Sequence, residues 1–139
     1  MGGRIQMIHE DTTERIIAAA NKVHSALGAG LLESTYDACL RYELDACALK
    51  FQHQARLPII YRAIEVPAAY RIDFIVENCV IVELKAVEKL LPVHVAQMIT
   101  YVRLSGHPVG LLLNFNVPHM REGIRRIVNR RLLERTDAP

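Results

Sequence analysis

The sequence predicts an α/β (α+β) domain whose elements run ααβββαβ ahead of a basic tail, and three observations carry that expectation. Apolar residues recur at helical spacing twice near the N-terminus, the first run stopping at Gly28. Three strand-like runs then follow in succession, the last two joined through Glu77-Asn78-Cys79. Residues 109–115 form a nearly unbroken apolar run, as expected of a strand covered on both faces. The 139 residues read as a single domain, 1–139, with the basic tail beginning at about residue 121. A chain of this length buries about two-thirds of its unfolded surface around one core.

Composition narrows the class. Apolar content of 51% with 23% charged residues is that of a globular protein, and no apolar stretch has membrane length, so no membrane partner is expected. Met1-Gly-Gly-Arg4 offers no apolar secretory core, and Gln6 stands where a myristoylation signal needs Ser or Thr, so a cytoplasmic location is expected. Cys39, Cys47 and Cys79 make no CxxC pair and no even framework, which points to reduced thiols.

The first helix is signalled by Asp11 with Glu14 as a capping pair and by Ile16, Ala20, Val23 and Leu27 at its inner spacing. A second, over residues 31–49, carries Tyr36, Leu40, Leu44 and Cys47 along its stripe. Glu33 lies on that stripe, so its carboxylate either points toward the core or complements the helix dipole near Gly30. Residues 57–62 read as a strand, with Pro58 suggesting an edge or early position. Residues 69–76 and 80–86 then form a hairpin. A three-residue turn with Asn78 at the left-handed position pairs Val76 with Val80 and sets Asp73 opposite Glu83; a two-residue turn would place them on opposite faces. Pro92 suits the first turn of a third helix reaching Ser105 and stopping at Gly106, with Val93, Gln97, Tyr101 and Leu104 inward. In the tail, Arg121, Arg125, Arg126, Arg130, Arg131 and Arg135 either contact phosphates or solvate a terminal helix.

The residues that ask for an explanation are Asp73, Glu83 and Lys85, threaded among Ile, Val and Phe. An unpaired carboxylate is costly to bury, so such a pair signals a metal or chemistry, unless the hairpin lies at the surface with its charges in water. Two carboxylates about 4 Å apart repel by about 4 kcal/mol at an effective dielectric near 20, and a divalent cation reverses that sign. Oxygen-only ligation favours Mg²⁺ or Mn²⁺, with the Leu84 carbonyl as a third ligand. Lys85 shares the face of Glu83 and can orient a water. The six histidines are scattered without ligand spacing, only His94 falling near this face, and no GxSxG or thiol-base motif appears.

A strand Asp, then Glu-x-Lys on the next strand, then a helix bearing Gln-x-x-x-Tyr, here Asp73, Glu83, Lys85, Gln97 and Tyr101, resembles the PD-(D/E)XK nuclease superfamily. Gly30-Leu-Leu-Glu33-Ser-Thr-Tyr36 is similar to the signature of the GxxExxY family within it. Val23-His24, Leu27-Gly28, His94-x-x-Gln97, Gly110-Leu-Leu-Leu-Asn114-Phe115 and Gly123-Ile-Arg-Arg126 agree, so the likeness runs from about Ile16 to Val128. The Pro that names the superfamily is absent, Arg71-Ile72 standing before Asp73, and Ala63 stands where a turn glycine is expected.

The resemblance implies a restriction-endonuclease-like αβββαβ core with a mixed central sheet flanked by helices. It implies that Asp73, Glu83 and Leu84 hold Mg²⁺ or Mn²⁺, that Lys85 and Glu33 are catalytic, and that Gln97 assists them. The implied activity is hydrolysis of nucleic-acid phosphodiesters, DNA or RNA, by a metal-activated water, with Arg121, Arg125, Arg126 and Arg130 binding nucleic acid and a homodimer as the assembly. Two other readings stay open: a non-catalytic module binding nucleic acid or protein, and a phosphoesterase acting on a small nucleotide.

Overall fold

The structure is a computed structural model that describes residues 8–132, with side chains except at 68 and 69. Met1-Gly-Gly-Arg4, Gln6 and Arg135 lie outside the described residues. Two helices come first, α1 (Glu10–Leu27) and α2 (Glu33–Ala46). Strands β1 (Phe51–Tyr61), β2 (Ile64–Val76) and β3 (Val80–Lys85) follow, then α3 (Pro92–Ser105) and β4 (Val109–Asn114). A 3₁₀ turn (Met120–Gly123) leads into β5 (Ile124–Val128). The five strands make one sheet in the order β1-β2-β3-β4-β5. All neighbours are antiparallel except the parallel pair β3 and β4, which α3 connects across one face, so the sheet is mixed.

The sheet separates two layers of core. Against one face pack α1 and α2, with Ile16, Ala20, Val23, Tyr36, Leu40 and Leu44 meeting Phe74, Val82, Leu84, Leu111 and Phe115. Against the other packs α3, whose Met98, Tyr101 and Val102 meet Ile72, Ile75, Ile81 and Leu112. Strands β3 and β4 are buried on both faces, which is why their sequences lose the two-residue alternation. Gly110 lets α3 approach: a Cβ there would stand 2.5 Å from Met98 Cε and 2.6 Å from Val102 Cγ2.

Several boundaries differ from the sequence expectation. The first helix starts at Glu10 behind a left-handed His9 and uses no side-chain cap, so Asp11 and Glu14 are helical rather than a capping pair. The second covers less than 31–49, because residues 47–50 turn back: Leu49 N–H donates to Leu44 O at 3.0 Å while Ala48 takes φ 60. Strand β1 begins at Phe51, six residues before the expected 57; Gln52, His53 and Gln54 hid it, since an edge strand with one wet side tolerates polar residues. Pro58 sits in this edge strand where the register shifts. At the β1–β2 turn Arg62 adopts φ 54 itself, its guanidinium 5.5 Å from the Tyr61 ring centroid, so the turn forms with Ala63 in place of glycine.

The largest correction concerns the basic tail. Residues 124–128 are strand β5, antiparallel to β4, with Ile124 and Ile127 packed on opposite faces of the sheet. The Ile-Arg-Arg-Ile-Val spacing suits a helix stripe as well as a strand, and what decides between them is the free edge of β4, whose amides need a partner.

Candidate active site

The hairpin register is the one the three-residue turn demands: Val76 pairs with Val80, Ile75 with Ile81 and Phe74 with Val82. Glu77 joins Asn78 in the left-handed region, with φ of 50 and 53, and Cys79 N–H closes the turn on Val76 O at 3.1 Å. One residue further along, where Asp73 faces Glu83, the ladder stops and side chains replace it. Asp73 N–H donates to Glu83 Oε1 at 2.8 Å, and Leu84 N–H donates to Asp73 Oδ2 at 2.8 Å. Each strand thus lends an amide to the other strand's carboxylate, and the two strands fork around them. From the outer side Gln54 Nε2 donates to Asp73 Oδ1 at 3.2 Å, at a kink in β1 where Gln54 has φ 54.

Lys85 stands two residues beyond Glu83, and its Nζ donates to Gln97 Oε1 on α3 at 3.4 Å. Strands β2 and β3 and helix α3 thereby bring Asp73, Glu83, Lys85 and Gln97 together; the hairpin spacing predicts the first three on one face, and Gln97 is the residue the resemblance added.

Burial and mutual repulsion set the ionisation of the acids. Glu83 is only 7% exposed, and burial followed by the Asp73 charge pushes its pKa from 4.5 up to about 8. Burial also raises Asp73, opposed by the Leu84 N–H bond. Glu33 is exposed, so its carboxylate does not enter the core; partial desolvation and then the Asp73 charge raise its pKa, while Lys85 pulls it down. Tyr101 is raised by burial and then by Glu83.

The segment before α2 explains how Glu33 is held. Gly30 adopts φ 98, open to glycine without strain, and its N–H donates to Asn116 Oδ1 at 3.0 Å. The fully buried Tyr36 ring stacks on Phe115 with centroids 4.7 Å apart. Its hydroxyl donates to Gly28 O at 2.6 Å and accepts from Leu31 N–H at 3.2 Å. Gly30 and Tyr36 are therefore a clamp on the helix entrance, and Glu33 in the first turn of α2 is what the clamp positions.

Sequence reasoning missed four neighbours. His53 Nε2 lies 2.7 Å from Asp37 Oδ1, both side chains largely shielded, and Asp37 raises both Glu33 and Asp73. Arg41 Nη1 lies 3.4 Å from His53 Nδ1, so the imidazole bridges Arg41 and Asp37. Gln54, which holds Asp73, is the fourth. The available signal was that Asp37 follows Glu33 by four residues and so shares its helix face. His94 is occupied elsewhere: its Nδ1 accepts Leu91 N–H at 3.0 Å at the start of α3.

The arginines divide. Arg126 turns inward, donating to Thr13 Oγ1 at 2.8 Å and to Ile8 O, and ties β5 to the start of α1. Burial lowers its pKa, and its Nε is buried without a hydrogen-bond partner. Arg121, Arg125 and Arg130 are exposed. Arg126, Arg130 and Arg131 line a cleft with Arg103, on the β5 flank of α3 and separate from the carboxylate fork.

Among the described residues no group of three His, Cys, Asp or Glu side chains is arranged to hold a metal ion. The pair Asp73 and Glu83 is a smaller donor set, all oxygen, buried and mutually repelling. That suits Mg²⁺, which takes one or two protein carboxylates and fills its shell with water. No helix among the described residues is long and apolar enough to cross a membrane.

The model of one family, the PD-(D/E)XK nuclease superfamily, matches residues 10–127. No curated protein and no solved structure matches the chain.

Proposed function

Because the chain belongs to the PD-(D/E)XK nuclease superfamily, we propose that it hydrolyses nucleic-acid phosphodiester bonds with the help of Mg²⁺ or Mn²⁺, as a member of the GxxExxY branch. The observation that carries this reading is the fork, where two carboxylates locked by backbone amides stand beside an ammonium ion. A hairpin built for stability alone would close its ladder and keep these charges in water.

Asp73 and Glu83, with the Leu84 carbonyl, would hold the cation, which when bound supplies Lewis acidity toward the phosphodiester and a lowered pKa for water. Their amide bonds orient the carboxylates in advance, so little reorganisation is needed on loading. Gln97 steadies Lys85 through its Oε1, leaving the ammonium to face charge building on the phosphoryl oxygens. Glu33, a carboxylate whose pKa is raised by partial desolvation and by Asp73, can accept a proton from the attacking water. The exposed Arg121, Arg125 and Arg130 would contact phosphates away from the reacting centre, whereas Arg126 is committed to holding β5 against α1.

The test is cleavage of DNA and RNA during Mg²⁺ and Mn²⁺ titration, with thermal stability followed in parallel, for wild type, Asp73→Asn and Lys85→Met. Cleavage should need the cation and fall by at least about 100-fold in each variant. Full cation-dependent cleavage by either variant would sink the assignment. The separate arginine-lined cleft favours a binding module as the second reading. Salt-sensitive binding that persists in EDTA and in Asp73→Asn, without any turnover, would select it.

A further inference from the structure

Helix α3 has a second flank, and it is not basic. Between it and the β1–β2 ribbon runs a groove of about 420 Å³ lined by Ile59, Tyr70, Val93, Gln97, Tyr101 and Leu104, with Ala96 and Thr100. None of these residues is charged. Tyr70 is 46% exposed, Val93 65% and Leu104 45%, so a band of apolar surface faces water directly beside the fork. The Tyr70 and Tyr101 rings meet edge to face with centroids 6.4 Å apart. One of the lining residues also touches the candidate site: Gln97 accepts from Lys85 Nζ. Through Gln97 the groove continues to Lys85.

From this continuity we propose that the groove receives an unpaired nucleobase next to the phosphate at Lys85, so that the substrate is a single strand or a locally opened duplex. The inference rests on the nuclease reading and names its substrate class. Charge assigns the parts. A phosphodiester is an anion and belongs at Lys85, while the neighbouring uncharged groove suits a neutral, flat and apolar group. A nucleobase attached to that phosphate is such a group; Gln97, Thr100 and the Tyr101 hydroxyl can meet its polar edge, and the tyrosine rings can meet its face. In an intact duplex the base faces are stacked on one another and cannot enter. A single strand also needs only one active site, so this reading does not call for the homodimer.

The test measures binding, in EDTA so that no cleavage intervenes, of short labelled oligonucleotides, DNA and RNA, single-stranded and as duplexes of the same sequence. Wild type should bind single strands at least about tenfold more tightly than duplexes. Tyr70→Leu, which keeps apolar bulk but removes the ring, should weaken single-strand binding by about tenfold or more and leave duplex binding unchanged, while Tyr70→Phe should match wild type. A 2-aminopurine in the strand should lose fluorescence on binding wild type and not Tyr70→Leu. Equal affinity for single strand and duplex, with no effect of Tyr70→Leu, would overturn the proposal. So would a dimer that Tyr70→Leu dissociates, since a second copy of the chain would then fill the groove. The two readings fail separately. Base-dependent binding without any cation-dependent cleavage refutes the nuclease alone, and cleavage without base-dependent binding refutes the groove alone.

Discussion

Replacing Glu83 with glutamine removes a carboxyl group that the fold tolerates poorly in its ionised form. The side chain is 7% exposed, and its pKa lies at about 8 against an ordinary 4.5, from burial first and the Asp73 charge second. In the unfolded chain Glu83 releases its proton near the ordinary value, whereas the folded protein keeps it to about 8. Between those values the unfolded state binds fewer protons than the folded one, so this group's stabilisation is complete at low pH and lost as pH climbs toward 8. Each tenfold displacement of the equilibrium is about 1.4 kcal/mol, so the full difference approaches about 5 kcal/mol, the Lys85 attraction being already contained in the pKa of about 8. Asp73 and Glu33 are raised as well and add to the same slope.

Glutamine keeps an Oε1 to accept Asp73 N–H and carries no charge. Urea unfolding in EDTA, followed by circular dichroism from pH 5 to 8.5, should therefore show Glu83→Gln gaining on wild type as pH rises, by about 2–5 kcal/mol at the upper end. Taking the difference between the two proteins cancels titrations they share. Mg²⁺ should narrow the gap by stabilising only the wild type, by about 2.7 kcal/mol at a concentration 100 times its Kd. Parallel pH profiles in EDTA would refute the reasoning, because they would mean that Glu83 ionises as easily in the fold as in water.

Tyr36→Phe should keep the stack on Phe115 and lose both hydroxyl bonds, to Gly28 O and from Leu31 N–H, destabilising the fold by about 1–2 kcal/mol. Cleavage should fall on the order of tenfold to a hundredfold as Glu33 drifts from its place, and a cleavage rate equal to wild type would show that the clamp does not serve the site. Gly110→Ala should lower the urea midpoint without changing the pH profile, by about 1–3 kcal/mol, because the new methyl meets Val102 Cγ2 at 2.6 Å under α3. An unchanged midpoint would mean that α3 can move away freely.

The hairpin was legible because several local signals agree there. Asn78 accepts the left-handed conformation, β-branched residues flank the turn, and with a period of two a single register puts Asp73 and Glu83 together. Gly30, Glu33 and Tyr36 were legible as a pattern, but their physical link was not. The contact of Tyr36 with Phe115 joins residues far apart in sequence, and nothing in the spacing announces it. The Asp37–His53 pair was hidden for the same reason, each partner being an ordinary surface residue within its own element. Strand β5 was read as part of a basic tail because five residues satisfy two periodicities, and only the unpaired edge of β4 decides between them. Arg126 follows from that choice: on a strand beside Leu111 its side chain points toward α1, whereas on a solvated helix it would have joined the other arginines.

At the fork, stability and chemistry use the same bonds. Leu84 is fully buried, and its amide has Asp73 Oδ2 as its partner; Asp73 N–H depends in the same way on Glu83. Truncating Asp73 to alanine would leave the Leu84 N–H without that acceptor, at a cost of about 1–3 kcal/mol, while also removing a like charge beside Glu83. The two changes oppose one another in stability, so an alanine variant that still folds says little about why the carboxylate is there. Asparagine keeps an acceptor for Leu84 N–H and deletes the charge, provided the Gln54 amide turns over so that its Oε1 meets the new NH2 group. The contrast between Asp73→Asn and wild type therefore reads the charge with the backbone bonds kept, and two carboxylates standing where two amides would satisfy the same backbone N–H groups point to that charge as their use.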